Sequence, residues 1–297
     1  MPMVAQQAPY TLFIVDDDQP ESPRDDRDNF GKMVCWNRRH TLGDEHDYSE
    51  PRDFFRGILF DKYAYSPESE YGKPVYDYIK SGKAQEARLE YNSSTREWEL
   101  LENQHWSSNS DWYASSSYSA SLKGKDVPDW FLDDCLSTLR MSELTELAND
   151  MKGMVMLPLY LYDHSGITMN TGGFSCPWDS GQAGWIYADY DKVKENYGEV
   201  TPETLERAKS LLQSEVEEYD HYLTGQCYGF KLYEGDDEIE SCWGFLGDIN
   251  DVSKYIKEHL PSECRNIVDS LEFQYDIDED EYLEQMLVNE DEDEMEI

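Results

Sequence analysis

Three stretches hold residue types capable of covalent or metal chemistry. Asp163, His164 and Ser165 carry the groups of a hydrolase relay. Neighbours on an extended chain point to opposite faces, so adjacency alone does not assemble one. Cys176 with His164 and Asp179 is the better nucleophile, base and orienter set, because the Gly-rich HSGITMNTGGFSCPWDSGQ can fold back on itself. Against it, Pro177 and Trp178 read as a packed turn, and residue types without geometry establish no reaction.

The carboxylates Asp16, Asp17, Asp18, Glu21, Asp25, Asp26 and Asp28 lack the spacing of an EF-hand loop, with its Gly and terminal Glu. They read as a solvated acidic loop. His40 and His46 have no paired cysteines at finger spacing, and the six cysteines at 35, 135, 176, 227, 242 and 264 form no CxxC pair. Reduced, mostly buried thiols are expected. TGG and SGQ lack the Gly-Lys-Ser/Thr ending of a phosphate loop. The chain is therefore expected to have no catalytic residue, no metal and no cofactor.

The elements around these residues fall into four regions. Residues 1–50 read as a strand-loop-strand unit, with YTLFIV (Tyr10 to Val15) and MVCW (Met33 to Trp36) as strands and the Pro- and Asp-rich run between them as loop. Residues 51–150 read as an inserted aromatic and Ser-rich domain. There DFFRGILFDKY begins a helix, EARLEYNSSTREWELLE is a hairpin turning at NSST, and DVPDWFLDDCLSTLRMSELTELANDM gives one or two helices. Its Ser-rich stretch reads as a loop.

Residues 151–265 carry the clearest pattern. MVMLPLYLYD is a buried strand in which Pro158 suggests an edge or bulge, and AGWIYADY is a second strand. A helix begins at Thr201-Pro202-Glu203 and stops at Gly225. QCYGFKLYEG and EIESCWGFL form a hairpin across GDDE, and NDVSKYIKEHL is an amphipathic helix. The order strand, strand, helix, hairpin, helix indicates an α+β fold of small antiparallel sheets with flanking helices. Residues 266–297 form an acidic C-terminal segment. It reads as a solubility tail, as a competitor for a basic groove, or as a helix docked through Leu271, Phe273, Tyr275, Tyr282, Leu283, Met286 and Leu287.

Charge narrows the function. There are 64 Asp+Glu against 25 Lys+Arg, a formal net charge of -39. After Arg265 there is no base and there are 14 acids, which leaves 50 acids and 25 bases in the body. Spread over the roughly 13,000 Å² of a folded monomer of this mass, the whole-chain charge of -39 is one net charge per ~330 Å². Duplex DNA carries one per ~110 Å². An isolated copy is about threefold too dilute to imitate DNA, so mimicry requires clustering or several copies. A direct nucleic-acid binder with a broad cationic surface is excluded. With 22 Tyr and 8 Trp the chain has core material despite a mean hydropathy of -0.79. The N-terminus has neither a basic n-region nor a long apolar run, so no secretory signal, no membrane span and a cytoplasmic protein are expected.

Two long stretches carry a resemblance. PESPRDDRDNFGKMVCWNRRHTLGDEH (Pro20 to His46) and LPLYLYDHSGITMNTGGFSCPWDSGQAGWIY (Leu157 to Tyr187) resemble the paired signatures of a family of phage and mobile-element proteins of largely unassigned activity. Arg27 stands where that family often has an aromatic. With its insert and acidic C-terminus, the chain is similar to phage-encoded inhibitors of the bacterial Gabija immune complex. The resemblance implies a non-enzymatic homo-oligomer that encloses the nuclease and helicase subunits in the infected host's cytoplasm and blocks their access to DNA. Acidity would steer it to a cationic target and aromatic contacts would hold it there. Trp106, Trp112, Tyr113, Tyr118, Trp130, Asp133, Asp134, Asp236 and Asp237 are the residues expected at partner or oligomer contacts. The alternatives are an acidic DNA mimic aimed at another DNA-binding defence enzyme, a Cys- or metal-dependent hydrolase, and general adaptation to high salt.

Overall fold

The computed structural model describes residues 3–25, 28–62, 72–104, 111–119, 127–150, 153–273 and 282. The fold is α+β, with helices flanking small antiparallel sheets. The chain forms two compact units. Unit 1 comprises Met1–Asp28, Leu161–Asn170 and Ser214–Ile297, and unit 2 comprises Asn29–Tyr160 and Thr171–Gln213. These bounds cut across the four sequence regions because strand pairing joins distant segments. The first fifty residues give two strands to unit 1 and one to unit 2.

Unit 1 is built on β1 (Met3–Gln7), β2 (Tyr10–Asp16), β10 (Cys227–Glu234), β11 (Asp237–Leu246) and β12 (Glu272–Phe273). They form one sheet in the order β11-β10-β2-β1-β12. Leu12, Ile14, Phe230 and Leu232 point to one face. Val252 and Ile256 of α7 (Ile249–His259) cover it, together with Ile267 and Val268 of a 3-10 turn. The spacing of Ile249, Val252 and Ile256 gives α7 the single apolar stripe this packing needs. Asp248 caps α7 by accepting from the Asn250 N–H at 2.9 Å, and that bond holds its carboxyl below the usual range.

On the opposite face Val4 and Phe13 are buried, and the Tyr282 ring lies edge-on to Phe13 with centroids 5.6 Å apart. Tyr282 is thus seated on the sheet, whereas Tyr275, Leu283, Met286 and Leu287 lie outside the described residues. A second fixture of unit 1 is the ion pair of Arg24 with Glu215, 3.1 Å apart with side chains 2% and 10% exposed.

Unit 2 has one core shared by two sheets. The four-stranded sheet runs β3-β9-β7-β8, with β3 (Lys32–Cys35), β9 (Ser180–Asp189), β7 (Met154–Asp163) and β8 (Ile167–Asn170). Of these, the β7–β8 hairpin over Leu161–Asn170 belongs to unit 1. β7 lies inside the order rather than at its edge. The four residues of β8 are too few to run along all ten of β7, so Pro158 is tolerated. The three-stranded sheet is β4 (Ala87–Asn92), β5 (Glu97–Gln104) and β6 (Asp111–Ser119).

β6 corrects an expectation, since YASSSYS is strand and not loop. It pairs with β5 from end to end except at Ser115, the extra residue of a bulge, and its hydroxyls find local partners: Ser115 donates to the Leu100 carbonyl at 3.3 Å and Ser116 to Asp134 at 2.6 Å. Strand pairing outweighs the weak β propensity of serine. The short elements β1, β8 and α5 (Tyr190–Tyr197) were not legible either.

Helices α1 (Pro51–Arg56), α2 (Lys73–Lys80), α3 (Asp129–Thr138) and α4 (Met141–Asp150) bury Phe54, Phe55, Ile79, Phe131 and Leu144 in this core. Arg52 donates to the carbonyls of Leu136 and Leu139 at 2.8 and 3.1 Å, satisfying the open end of α3. Buried Glu143 accepts from the N–H groups of Arg140 and Gln85 at 2.9 and 2.8 Å, so one carboxylate both caps α4 and anchors the chain before β4. The long α6 (Pro202–Leu223) starts and stops where its Pro and Gly225 require. Among the described residues no helix is long and apolar enough to cross a membrane.

Candidate functional site

The two signatures meet in unit 2. Val34 and Cys35 pair with Trp185 and Gly184, and the Trp36 N–H donates to the Ala183 carbonyl at 2.8 Å. The strands approach so closely that a Cβ on residue 184 would lie 1.9 Å from the Val34 carbonyl oxygen. Only glycine fits there.

Beyond β3 the first signature turns back on itself. Asn37 Oδ1 accepts from the N–H groups of Arg39 and His40, and Asp44 Oδ2 accepts from the Met33 N–H at 2.8 Å. The loop lines a cavity of about 730 Å³ that includes Trp36, Arg38, His40, Asp44 and His46. His46 Nε2 lies 2.9 Å from the Cys35 carbonyl, which can only accept, so Nε2 carries the hydrogen. Nδ1 of the same ring is buried and has no hydrogen-bond partner among the described residues. The lining mixes one Arg and two His with Asp44, Glu45 and Asp47 and so selects neither an anion nor a cation. Among the described residues no three His, Cys, Asp or Glu side chains are placed to share a metal ion.

The residues of the candidate relay are arranged differently from an extended run. Asp163 ends β7, and His164 to Gly166 form its turn into β8, where the His164 N–H donates to the Gly166 carbonyl and Ser165 takes a φ of 59°. Cys176 and Asp179 belong to unit 2 and His164 to unit 1. The Cys176 thiol is 3.6 Å from Asp179 Oδ2, and the Ser180 hydroxyl donates to the Cys176 carbonyl. Trp178 corrects the packed-turn reading: at 91% exposure its indole projects from the turn. The turn is closed by polar bonds through its neighbours, which releases the ring from the core.

The expected contact residues separate into three groups. Trp130 is 52% exposed on α3, between Asp129 and Asp133, and lies edge-on to buried Phe131. Asp133 pairs with Arg56 at 2.9 Å, Asp134 accepts from Ser116, and Tyr113 is exposed with its hydroxyl 3.2 Å from Glu102. Trp130, Asp133 and Asp134, spaced i, i+3 and i+4, share an acidic aromatic face of α3 in unit 2, and Tyr113 lies on β6. Two others are less exposed. Tyr118 is buried, bonded to the Tyr76 hydroxyl at 3.0 Å with its ring 4.6 Å from Phe131, and is a core residue rather than a contact. Trp112 is half-buried beneath the Arg88 guanidinium, 4.2 Å from its ring centre. Asp236 and Asp237 are exposed at the β10–β11 turn of unit 1. Trp106 lies outside the described residues.

Sequence reasoning missed Ile239 and Trp243, both exposed on β11. The available signal was Gly244 next to Trp243, with Gly229 on the facing strand, because glycine within a strand marks a bulge or a close approach. Comparison with protein-family models, curated proteins and solved structures finds no match to this chain.

Proposed function

We propose that this protein is a non-enzymatic phage anti-defence inhibitor that acts in the cytoplasm of the infected bacterium. It binds the Gabija nuclease–helicase complex as a homo-oligomer and closes its route to DNA. The observation that carries this reading is that Trp130, Trp178 and Trp243 are held out of the core of a chain with net charge -39. Exposed indoles are the anchors most enriched at interface hot spots, and dense negative charge speeds encounter with a cationic DNA-handling surface. The target is suggested by the resemblance of the larger chain, with its insert and acidic C-terminus, to phage-encoded inhibitors of that complex. Several copies acting together supply the field and the blocked area that one dilute monomer lacks.

The test is DNA binding by purified Gabija complex, read by mobility shift, with the inhibitor titrated to saturation at low and high salt. DNA binding is expected to be lost, and the inhibitor's affinity to weaken as salt rises. Undiminished DNA binding at saturation excludes the mechanism. Cys176→Ala and chelator treatment are expected to leave inhibition intact, and loss of inhibition by either points to hydrolysis instead.

A further inference from the structure

The five-stranded sheet of unit 1 has two unlike edges. At one end, among the described residues, lies the two-residue β12. At the other, β11 runs ten residues with every position at least partly exposed. Its register against β10 slips twice. Cys242 pairs with Phe230 and Phe245 with Tyr228, so Trp243 and Gly244 together face Gly229. Glu240 pairs with Leu232 and Glu238 with Tyr233, so Ile239 is an extra residue.

Both slips are therefore bulges on the outer strand, and a bulge re-aims the side chain it carries. The two bulge side chains are the large apolar groups this strand exposes, Ile239 at 44% and Trp243 at 47%. The geometry is specified by sequence. Gly244 takes the φ of +84° that the first bulge needs, and a Cβ on Gly229 would lie 2.2 Å from the Trp243 ring. Gly229 therefore makes the shelf on which the indole rests while its outer face meets solvent.

We infer that the β11 edge is the docking surface of unit 1 for a cationic protein segment. From Leu232 through Ser253 there is no Lys or Arg, while Glu234, Asp236, Asp237, Glu238, Glu240, Asp248 and Asp251 are acids. Nucleic acid meets like charge there, and so does the acidic surface of a second copy. A segment bearing Arg or Lys meets opposite charge beside an indole face suited to guanidinium stacking. The bulges keep the edge from indiscriminate strand pairing and leave recognition to side chains. Identification of the partner as the Gabija complex rests on the function proposed above; the surface itself does not.

Two probes keep those claims apart: a ten-residue peptide of alternating Arg and Val, and the purified Gabija complex. Affinity is measured by calorimetry for both, with hydrogen exchange over 237–246 for the peptide. The variants are Trp243→Ala and the double variant Glu238→Gln/Glu240→Gln. In the double variant the new amide at position 238 keeps an acceptor for the Tyr233 hydroxyl, which in the wild type donates to Glu238 at 3.4 Å. Glu203→Gln/Glu206→Gln on α6 is the control of equal charge change. The peptide is expected to slow exchange within 237–246. Trp243→Ala should weaken both probes about thirtyfold, the β11 double variant about tenfold, and the α6 control less than about twofold.

Wild-type binding of the peptide without protection of 237–246, or β11 variants that bind like wild type, overturns the inference. So does a loss of self-association with partner binding intact, which assigns the edge to contacts between copies. Peptide protection at β11 with no binding of the Gabija complex sinks the proposed function and leaves the surface standing.

Discussion

The core of unit 2 holds large rings turned inward: Phe55 meets Trp185 edge-on at 4.9 Å, and Trp36 lies 6.0 Å from the same indole. Unit 1 closes its main core with aliphatic side chains and Phe230 and carries Trp243 on an outer strand. The difference follows from what covers each ring. Trp185 lies on β9, with β3 and β7 on either side, and its Nε1 donates to Thr145 Oγ1 at 2.8 Å, so it is wrapped on all sides and its one polar atom is satisfied. Trp243 has Gly229 beneath it and nothing required above. The same residue type is a core element at Trp185 and is displayed to solvent at Trp243.

Removing a wrapped ring should therefore cost far more than removing a displayed one. Trp185→Ala is expected to lose about 3–5 kcal/mol of unfolding free energy, and Trp130→Ala less than about 1 kcal/mol, because half its surface is already in water. Urea unfolding followed by circular dichroism separates them. Equal losses would mean that Trp130 is part of the core and that the acidic aromatic face is not a surface for partners.

Two arginine–carboxylate pairs sharpen the comparison with identical chemistry. Arg24 and Glu215 in unit 1 are almost wholly buried, whereas Arg56 and Asp133 in unit 2 are 44% and 40% exposed. Arg24→Ala removes the guanidinium from a carboxylate whose side chain is 10% exposed and should destabilise by roughly 3 kcal/mol or more. Arg56→Ala should cost at most about 1 kcal/mol, a difference that shrinks further in high salt. If the two variants unfold alike, Glu215 has found other partners and the first signature's Arg24 is not its anchor.

How far these contrasts were legible depends on range. Local patterns located β2, β9, the β4–β5 and β10–β11 hairpins, α6 and α7, because side-chain period, Pro202 and Gly225 act within a few residues. What failed depended on distant partners. Serines 115–117 become strand only because β5 offers a ladder, and Arg24 becomes core only because α6 brings Glu215 to it. Exposure was half legible: an acidic, Trp-bearing α3 can be read from DWFLDD. The sequence equally suggested Tyr118, which is buried against Phe131, and it concealed Ile239 and Trp243, whose exposure needs the β10–β11 register.

The thiols supply the smallest effect and the one in which the units should agree. Each unit has a half-buried thiol, Cys176 and Cys242, beside buried ones. Burial first, and then the neighbouring Asp134, pushes Cys135 in unit 2 up to about 12. Burial and Asp17 push Cys227 in unit 1 up to about 11. Both are thiols at pH 8, with on the order of one thiolate in a thousand or fewer. Iodoacetamide at that pH should label Cys176 and Cys242 in the folded protein and reach the other four only after unfolding, as peptide mass mapping will read. The same raised values set an alkaline limit. The folded state holds these protons more tightly than the unfolded chain, so their contribution is intact below the ordinary thiol value of 9.0. It is lost as pH climbs from there to about 11 for Cys227 and about 12 for Cys135. Labelling of Cys135 or Cys227 at pH 8 without unfolding would show that the corresponding core opens locally, and labelling of Cys135 alone would mean that the ring-filled core of unit 2 is the looser of the two.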